Sequence, residues 1–190
     1  MHTALLIIDI QNDYFPGGKH PLVEPLGAAK KAYSLLQCFR ESGGRQVHIQ
    51  HISTRPETTF FLPGDRGTDI HDAVAHFEDE PLVQKHYPNA FRETNLLDLL
   101  RGSEVDRVVV CRMMTHMCVD ANARAAADLG FSVNVAADAC ATRDLAFEDV
   151  TIPADYVQRA FLAARKVYCE VLPAETILTR LAVENSQPKH

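Results

Sequence analysis

Three residues of different chemistry each follow an apolar run: an acid, Asp9, after ALLII; a lysine, Lys85, closing LVQK; and a thiol, Cys118, shortly beyond VVVC. A carboxylate can exchange a proton, an ammonium can pair with an anion, and a thiolate is a nucleophile. The reading centres on VVVCRMMTHMCVDANARAAADLG, residues 108–130. Val108 to Val110 have the composition of a buried parallel strand, and the alanine-rich half stops at Gly130, a natural helix end. With Thr115 as the expected N-cap, Cys118 falls in the first helical turn. Free N–H groups and the helix dipole there favour an anion, which would lower the thiol pKa.

The elements that must position these groups alternate along the chain. Strands are predicted over Ala4 to Ile8, Gln46 to Ile52, Leu82 to Lys85, Arg107 to Cys111, Phe131 to Ala136 and Val167 to Leu172. Helices are predicted over Pro25 to Ser42, Glu93 to Leu100, the central segment, Ala154 to Lys166 and a short terminal stretch, with Ala28, Ala32, Leu35, Leu36 and Phe39 forming one apolar face of the first. Ser53 to about Glu80 is rich in Pro, Gly, Asp and Thr and reads as a long surface loop with one short helix near His71 to Val74. Such alternation implies an α/β fold of three layers: a Rossmann-like, six-stranded, mostly parallel sheet with helices on both faces. Ligands of such folds bind beyond the carboxyl ends of the strands, where Asp9, Lys85 and Cys118 all fall.

Composition bounds the function class. With 190 residues, 46% apolar and 23% charged, the chain reads as one globular domain, residues 1–190. A net charge of -6 without a Lys or Arg run argues against nucleic acid or anionic membranes as partners and leaves a small-molecule substrate. No apolar run approaches a membrane span and no signal pattern opens the chain, so a cytoplasmic location is expected. The cysteines, at positions 38, 111, 118, 140 and 169, are odd in number and form no CxxC pair, which suits free thiols.

Taken singly, each candidate has a plainer reading: Cys118 a small buried hydrophobe, Asp9 a turn cap, Lys85 a solvated cation, Cys38, Cys111 and Cys140 core. Gln11 and Asn12 could bond loop backbone or position a substrate or Asp9. Tyr14 and Phe15 suit core or pocket equally. In the long loop the triplet Phe60, Phe61 and Leu62 must cover something, since exposed aromatics are costly; a pocket wall or a subunit contact are the alternatives to a simple anchor. Among the nine histidines, His48 and His51 lie three apart on a strand and point to opposite faces, and His116 diverges from Cys118 on a helix.

Together, the strand ending in D-x-Q-N-D-Y-F (Asp9 to Phe15), the lysine of VQKHYPNAF and the segment VVVCRMMTHMCVDANARAAADLGF resemble the isochorismatase-like cysteine hydrolase superfamily, which includes nicotinamidases and carbamoylsarcosine amidases. The similarity extends to DACAT and YCEVL. It implies an Asp-Lys-Cys triad at Asp9, Lys85 and Cys118, a cis peptide at Met113-Met114, and an oxyanion hole from the backbone N–H groups of Met114 and Cys118. Gln11, Phe15, Phe60 and Phe61 are the candidate substrate contacts. Nicotinamidases carry an Asp-x-His pair with a downstream histidine after the second strand. Here that stretch reads VHIQHISTRPETTFF and lacks Asp-x-His, so neither a metal nor another cofactor is expected. The resulting expectation is a metal-independent cysteine hydrolase of a small amide-type C–N bond. The alternatives are vinyl-ether hydrolysis of the isochorismatase type, a thiol redox sensor, and a binding protein without turnover. Relatives commonly form dimers or tetramers, so a homo-oligomer is expected.

Overall fold

Side chains along the central strands divide alternately between two cores, and this makes the fold three-layered. In the computed structural model, which describes residues 2–186, Leu5 and Ile7 of β1 (Thr3–Ile8) pack with α1 (Pro25–Glu41), while Ala4, Leu6 and Ile8 face the opposite side. The α1 face is the expected one, Ala28, Ala32, Leu35, Leu36 and Phe39, all buried. Burial of each such leucine or phenylalanine contributes about 1.5–3 kcal/mol. The remaining elements in chain order are β2 (Arg45–His51), β3 (Leu82–Lys85), α2 (Leu96–Gly102), β4 (Arg107–Met113), a π-helical turn (Thr115–Val119), α3 (Asp120–Asp128), β5 (Ser132–Ala141), β6 (Leu145–Phe147), β7 (Val150–Ile152), α4 (Ala154–Arg165), β8 (Glu170–Leu172) and α5 (Ala174–Ser186). Helix α5 joins α1 on the first face; α2, α3 and α4 cover the second.

The main sheet is wholly parallel, in the order β3-β2-β1-β4-β5-β8. Strand order reverses between β1 and β4, which opens a crevice at their carboxyl ends. Two features depart from the sequence reading. Strand β5 continues beyond the expected Ala136 to Ala141, with its register to β4 broken between Val110 and Arg112, and so takes in DACAT up to Ala141. Residues 145–152 form a small antiparallel hairpin, β6 with β7, that no periodicity announced. No helix of the described residues is long and apolar enough to cross a membrane.

The segment between β2 and β3 has little regular structure beyond 3-10 turns at Arg66–Thr68 and Asp72–Val74, yet it is tied down at several points. Asp13 is 1% exposed and accepts from Lys19 N at 3.1 Å and from Phe61 N at 2.7 Å. Its carboxylate lies where a side chain on Gly67 would have to sit, so only glycine fits there. At the far end Glu80 is buried and gathers Arg40 at 2.6 Å, His48 at 3.0 Å and Gln46 at 3.0 Å. Burial alone would raise the Glu80 pKa. Arg40, Phe77 N–H and Gln46 outweigh it and hold the carboxyl at about 2.

Because the folded pKa lies below the unfolded one, this cluster stabilises fully above the ordinary carboxylate range and loses its effect as pH falls toward 2. Glu80→Ala is expected to cost about 3 kcal/mol at neutral pH, since it leaves the half-buried Arg40 and the buried His48 without their shared partner. The gap between variant and wild type should close on acidification through that window. Denaturant melts at pH 7, 4 and 2.5 measure it, and a gap independent of pH would show that the carboxylate charge is irrelevant.

Candidate active site

Parallel register brings the lysine to the acid. His51 and Lys85 are paired residues at the ends of β2 and β3, and Asp9 follows β1, with its N–H bonded to Ile49 O at 2.9 Å. Asp9 takes φ of +58°, a conformation that costs energy outside glycine and turns the chain out of the strand. Lys85 Nζ lies 2.8 Å from Asp9 Oδ2, 3.5 Å from Cys118 Sγ, 3.1 Å from His51 Nδ1 and 3.1 Å from Tyr87 O. Asp9 and Lys85 are fully buried and Cys118 is 6% exposed. The Lys85–Asp9 contact is an ion pair by distance but is not aligned as a hydrogen bond, and neither Asp9 oxygen is otherwise bonded. The carboxylate lone pairs are therefore available to a proton from the thiol.

The turn that carries Cys118 is braced by side chains from three elements. Asn122 Nδ2 donates to Cys118 O at 2.9 Å and to Pro88 O at 2.7 Å, and its Oδ1 accepts from Ala90 N at 2.6 Å. One residue thus joins the thiol turn to the loop after Lys85. Arg165, fully buried in α4, donates to Thr115 O. Thr115 is not the expected N-cap. Met114 occupies that position, and the Thr115 hydroxyl instead donates to Ala141 O at 3.2 Å, tying the turn to β5. The peptide between Met113 and Met114 is cis.

The electrostatics of the thiol also differ from the sequence reading. Burial pushes Cys118 up to about 11, the Asp9 charge adds to that, and Lys85 and Arg112 oppose it. The expectation of a lowered pKa counted the helix terminus and ignored desolvation, which here is the larger effect. Arg112 is a residue the sequence reading passed over. Its guanidinium is 0% exposed, stands 4.0 Å from Asp9 Oδ2 and, among the described residues, has no hydrogen-bond partner on any of its three nitrogens. A charged residue inside an apolar strand was the signal.

Cys118 opens onto a cavity of about 330 Å³, whose wall also includes Tyr14, His51, Phe60, Phe61, Met114 and Met117. The long loop supplies Phe60 and Phe61, together with Ser53, Thr54, Arg55 and Thr58. Phe60 is stacked on His20 with centroids 4.5 Å apart. Two of the candidate substrate contacts lie elsewhere. Gln11 is fully buried and spent on backbone, donating to His51 O and Thr68 O and accepting from His51 N, so it fixes the end of β2 and does not line the cavity. Phe15 is a core residue stacked on His71 at 3.6 Å. His51, set aside above as a metal ligand, is instead a neighbour of Lys85. Burial lowers it to about 4, so at neutral pH its Nδ1 can accept from the ammonium.

The donor set for a nicotinamidase-type metal does not fit this site. Two residues before His51, where an Asp-x-His pair would place its acid, stands the buried Ile49; His71 Nδ1 accepts from Ala73 N, and no three His, Cys, Asp or Glu side chains converge among the described residues.

Comparison with known proteins places this geometry in a family. A model for the isochorismatase domain matches residues 3–175. An uncharacterised isochorismatase family protein of Bacillus subtilis, YddQ, is 46% identical over 179 residues, covering 94% of this chain and 99% of that protein. A streptothricin hydrolase of Streptomyces noursei is 32% identical over 90% of this chain and 62% of its own length, and the Escherichia coli nicotinamidase 26% identical over 72% and 82%. A crystal structure described as a putative isochorismatase hydrolase from Oleispira antarctica superposes with a TM-score of 0.90 at 46% identity, covering 94% of this chain and 96% of the other.

Proposed function

The chain belongs to the isochorismatase family of hydrolases, and from that premise we infer that it is a cysteine hydrolase cleaving a small amide-type C–N bond through a thioester on Cys118. The observation that carries this reading is Lys85 Nζ standing 2.8 Å from Asp9 Oδ2 and 3.5 Å from Cys118 Sγ at the wall of the cavity. A thiol held up at about 11 is protonated at neutral pH, so it needs a base at the moment of attack. Asp9 takes the Sγ proton as sulfur bonds to the carbonyl carbon, and the N–H groups of Met114 and Cys118 receive the oxyanion. The proton then passes from Asp9 to the leaving nitrogen as the C–N bond breaks. Water, deprotonated by the same carboxylate, hydrolyses the thioester and returns the thiol. Lys85 holds the Asp9 carboxylate in position through their ion pair at 2.8 Å. Vinyl-ether cleavage proceeds by protonation of the substrate and has no use for a buried thiol beside the acid, which favours the amide.

The test is to incubate the protein with a panel of small primary amides, ureas and carbamoyl compounds, quench in acid and weigh the Cys118 peptide. An acyl adduct that forms in wild type and is absent from Cys118→Ala is the expected result. Rapid sulfenic acid formation with no amide turned over would point to a redox sensor instead. Turnover should also survive exhaustive chelation unchanged. Loss of rate that zinc, iron or manganese restores would mean that a metal takes part.

A further inference from the structure

On the side of the cavity formed by the end of β5, the backbone around Arg143 is anchored, and among the described residues its side chain has no charged partner. The residues on either side of it are pinned. Thr142 O accepts from Val23 N at 2.9 Å and Thr142 Oγ1 meets His116 Nδ1 at 2.7 Å, while Asp144 Oδ1 accepts from Ala154 N at 2.8 Å. The Arg143 side chain lines the same cavity as Cys118, is half-buried, and has a buried Nε without a hydrogen-bond partner. Among the described residues it makes no ion pair. The cavity wall contains a second guanidinium, Arg55, and no Asp or Glu, although the chain as a whole has a net charge of -6. The histidines that share this end do not supply a counter-charge. Burial and the nearby Arg143 keep His116 near 4, and both lower His20. A guanidinium carried on an anchored backbone into a partly desolvated cavity, with an unsatisfied donor, is suited to an anion, and its planar fork suits a carboxylate.

We propose that Arg143 is the anion-binding residue of the substrate site, and that the substrate is a small amide bearing a carboxylate at the end remote from the scissile bond. This rests on the reading of Cys118 as the residue that meets the amide, and the test separates the two. Cys118 of the unmodified protein is alkylated with iodoacetamide, and protection is measured with succinate, with the neutral succinamide and with inorganic phosphate.

Succinate is expected to protect at a concentration at least about ten-fold lower than succinamide. That advantage should vanish in Arg143→Gln and be partly kept in Arg143→Lys. Equal protection by the neutral diamide, or an advantage unchanged in Arg143→Gln, overturns the proposal; phosphate protecting as well as succinate overturns the carboxylate assignment. These readouts need no turnover, so they stand or fall apart from the amidase reading. A second arm compares hydrolysis of succinamate with that of its neutral isostere 4-oxopentanamide. The preference for succinamate should be lost in Arg143→Gln through a raised KM for succinamate, and a preference unchanged in that variant overturns the proposal.

Discussion

Cys118→Ala is expected to lower amide turnover by about 10⁴-fold or more while the protein stays folded. The size follows from the role: without sulfur no thioester forms, and the remaining donors act only on a bound substrate that water attacks poorly. The structural cost should be small. Cys118 is 6% exposed at a cavity wall, and truncating a thiol there removes about 1 kcal/mol of burial. Turnover and a denaturant melt of the same preparation separate the two effects. Wild-type rates in the variant would remove the thiol from the mechanism. A variant with matched loss of rate and of stability would assign Cys118 to packing.

The strand ends were legible in the sequence because a parallel sheet puts its functional residues beyond the carboxyl ends whatever the pairing order. Asp9, Lys85 and Cys118 could be placed together from that rule and from their motifs. What could not be read depends on register and on side-chain reach. His51 meets Lys85 only because β2 and β3 pair with those two residues opposite. Asn122 reaches Pro88 and Ala90, 34 and 32 residues away, and nothing in an alanine-rich helix marks it for that purpose beyond its polarity. Arg143 follows a strand whose extension past Ala136 was hidden by the break in register opposite Arg112. Gln11 illustrates the opposite error: a polar residue two positions from the acid looked like a substrate contact, yet all its hydrogen bonds go to backbone. The sign of the Cys118 shift failed for a physical reason as well, since a helix terminus can favour a thiolate by a limited amount and full desolvation beside a carboxylate exceeds it.

That electrostatic balance leads to the other large effect. Asp9→Asn should reduce turnover by about 10³-fold or more, because the proton of a thiol near 11 then has no acceptor during attack and none returns to the leaving nitrogen. The intrinsic reactivity of Cys118 should move the opposite way. Beside burial, the charge of Asp9 raises the Cys118 pKa, whereas Lys85 and Arg112 lower it. Removing the carboxylate leaves the two cations, so the pKa falls below its present value and more thiolate is present at pH 8. Alkylation by iodoacetamide should therefore be faster in Asp9→Asn than in wild type even as hydrolysis collapses.

The variant also leaves Lys85 and Arg112 buried without their carboxylate, which is expected to cost about 3–5 kcal/mol of stability. Both rates must accordingly be measured below the onset of the variant's own melt. Loss of fold would expose every cysteine and accelerate alkylation at all of them. The mechanism requires acceleration at Cys118 with Cys111 and Cys140 still protected, as mass mapping of the alkylated peptides would read. Slower alkylation together with slower turnover would make Asp9 a structural support of the thiol turn, and near-wild-type turnover would deny it the proton.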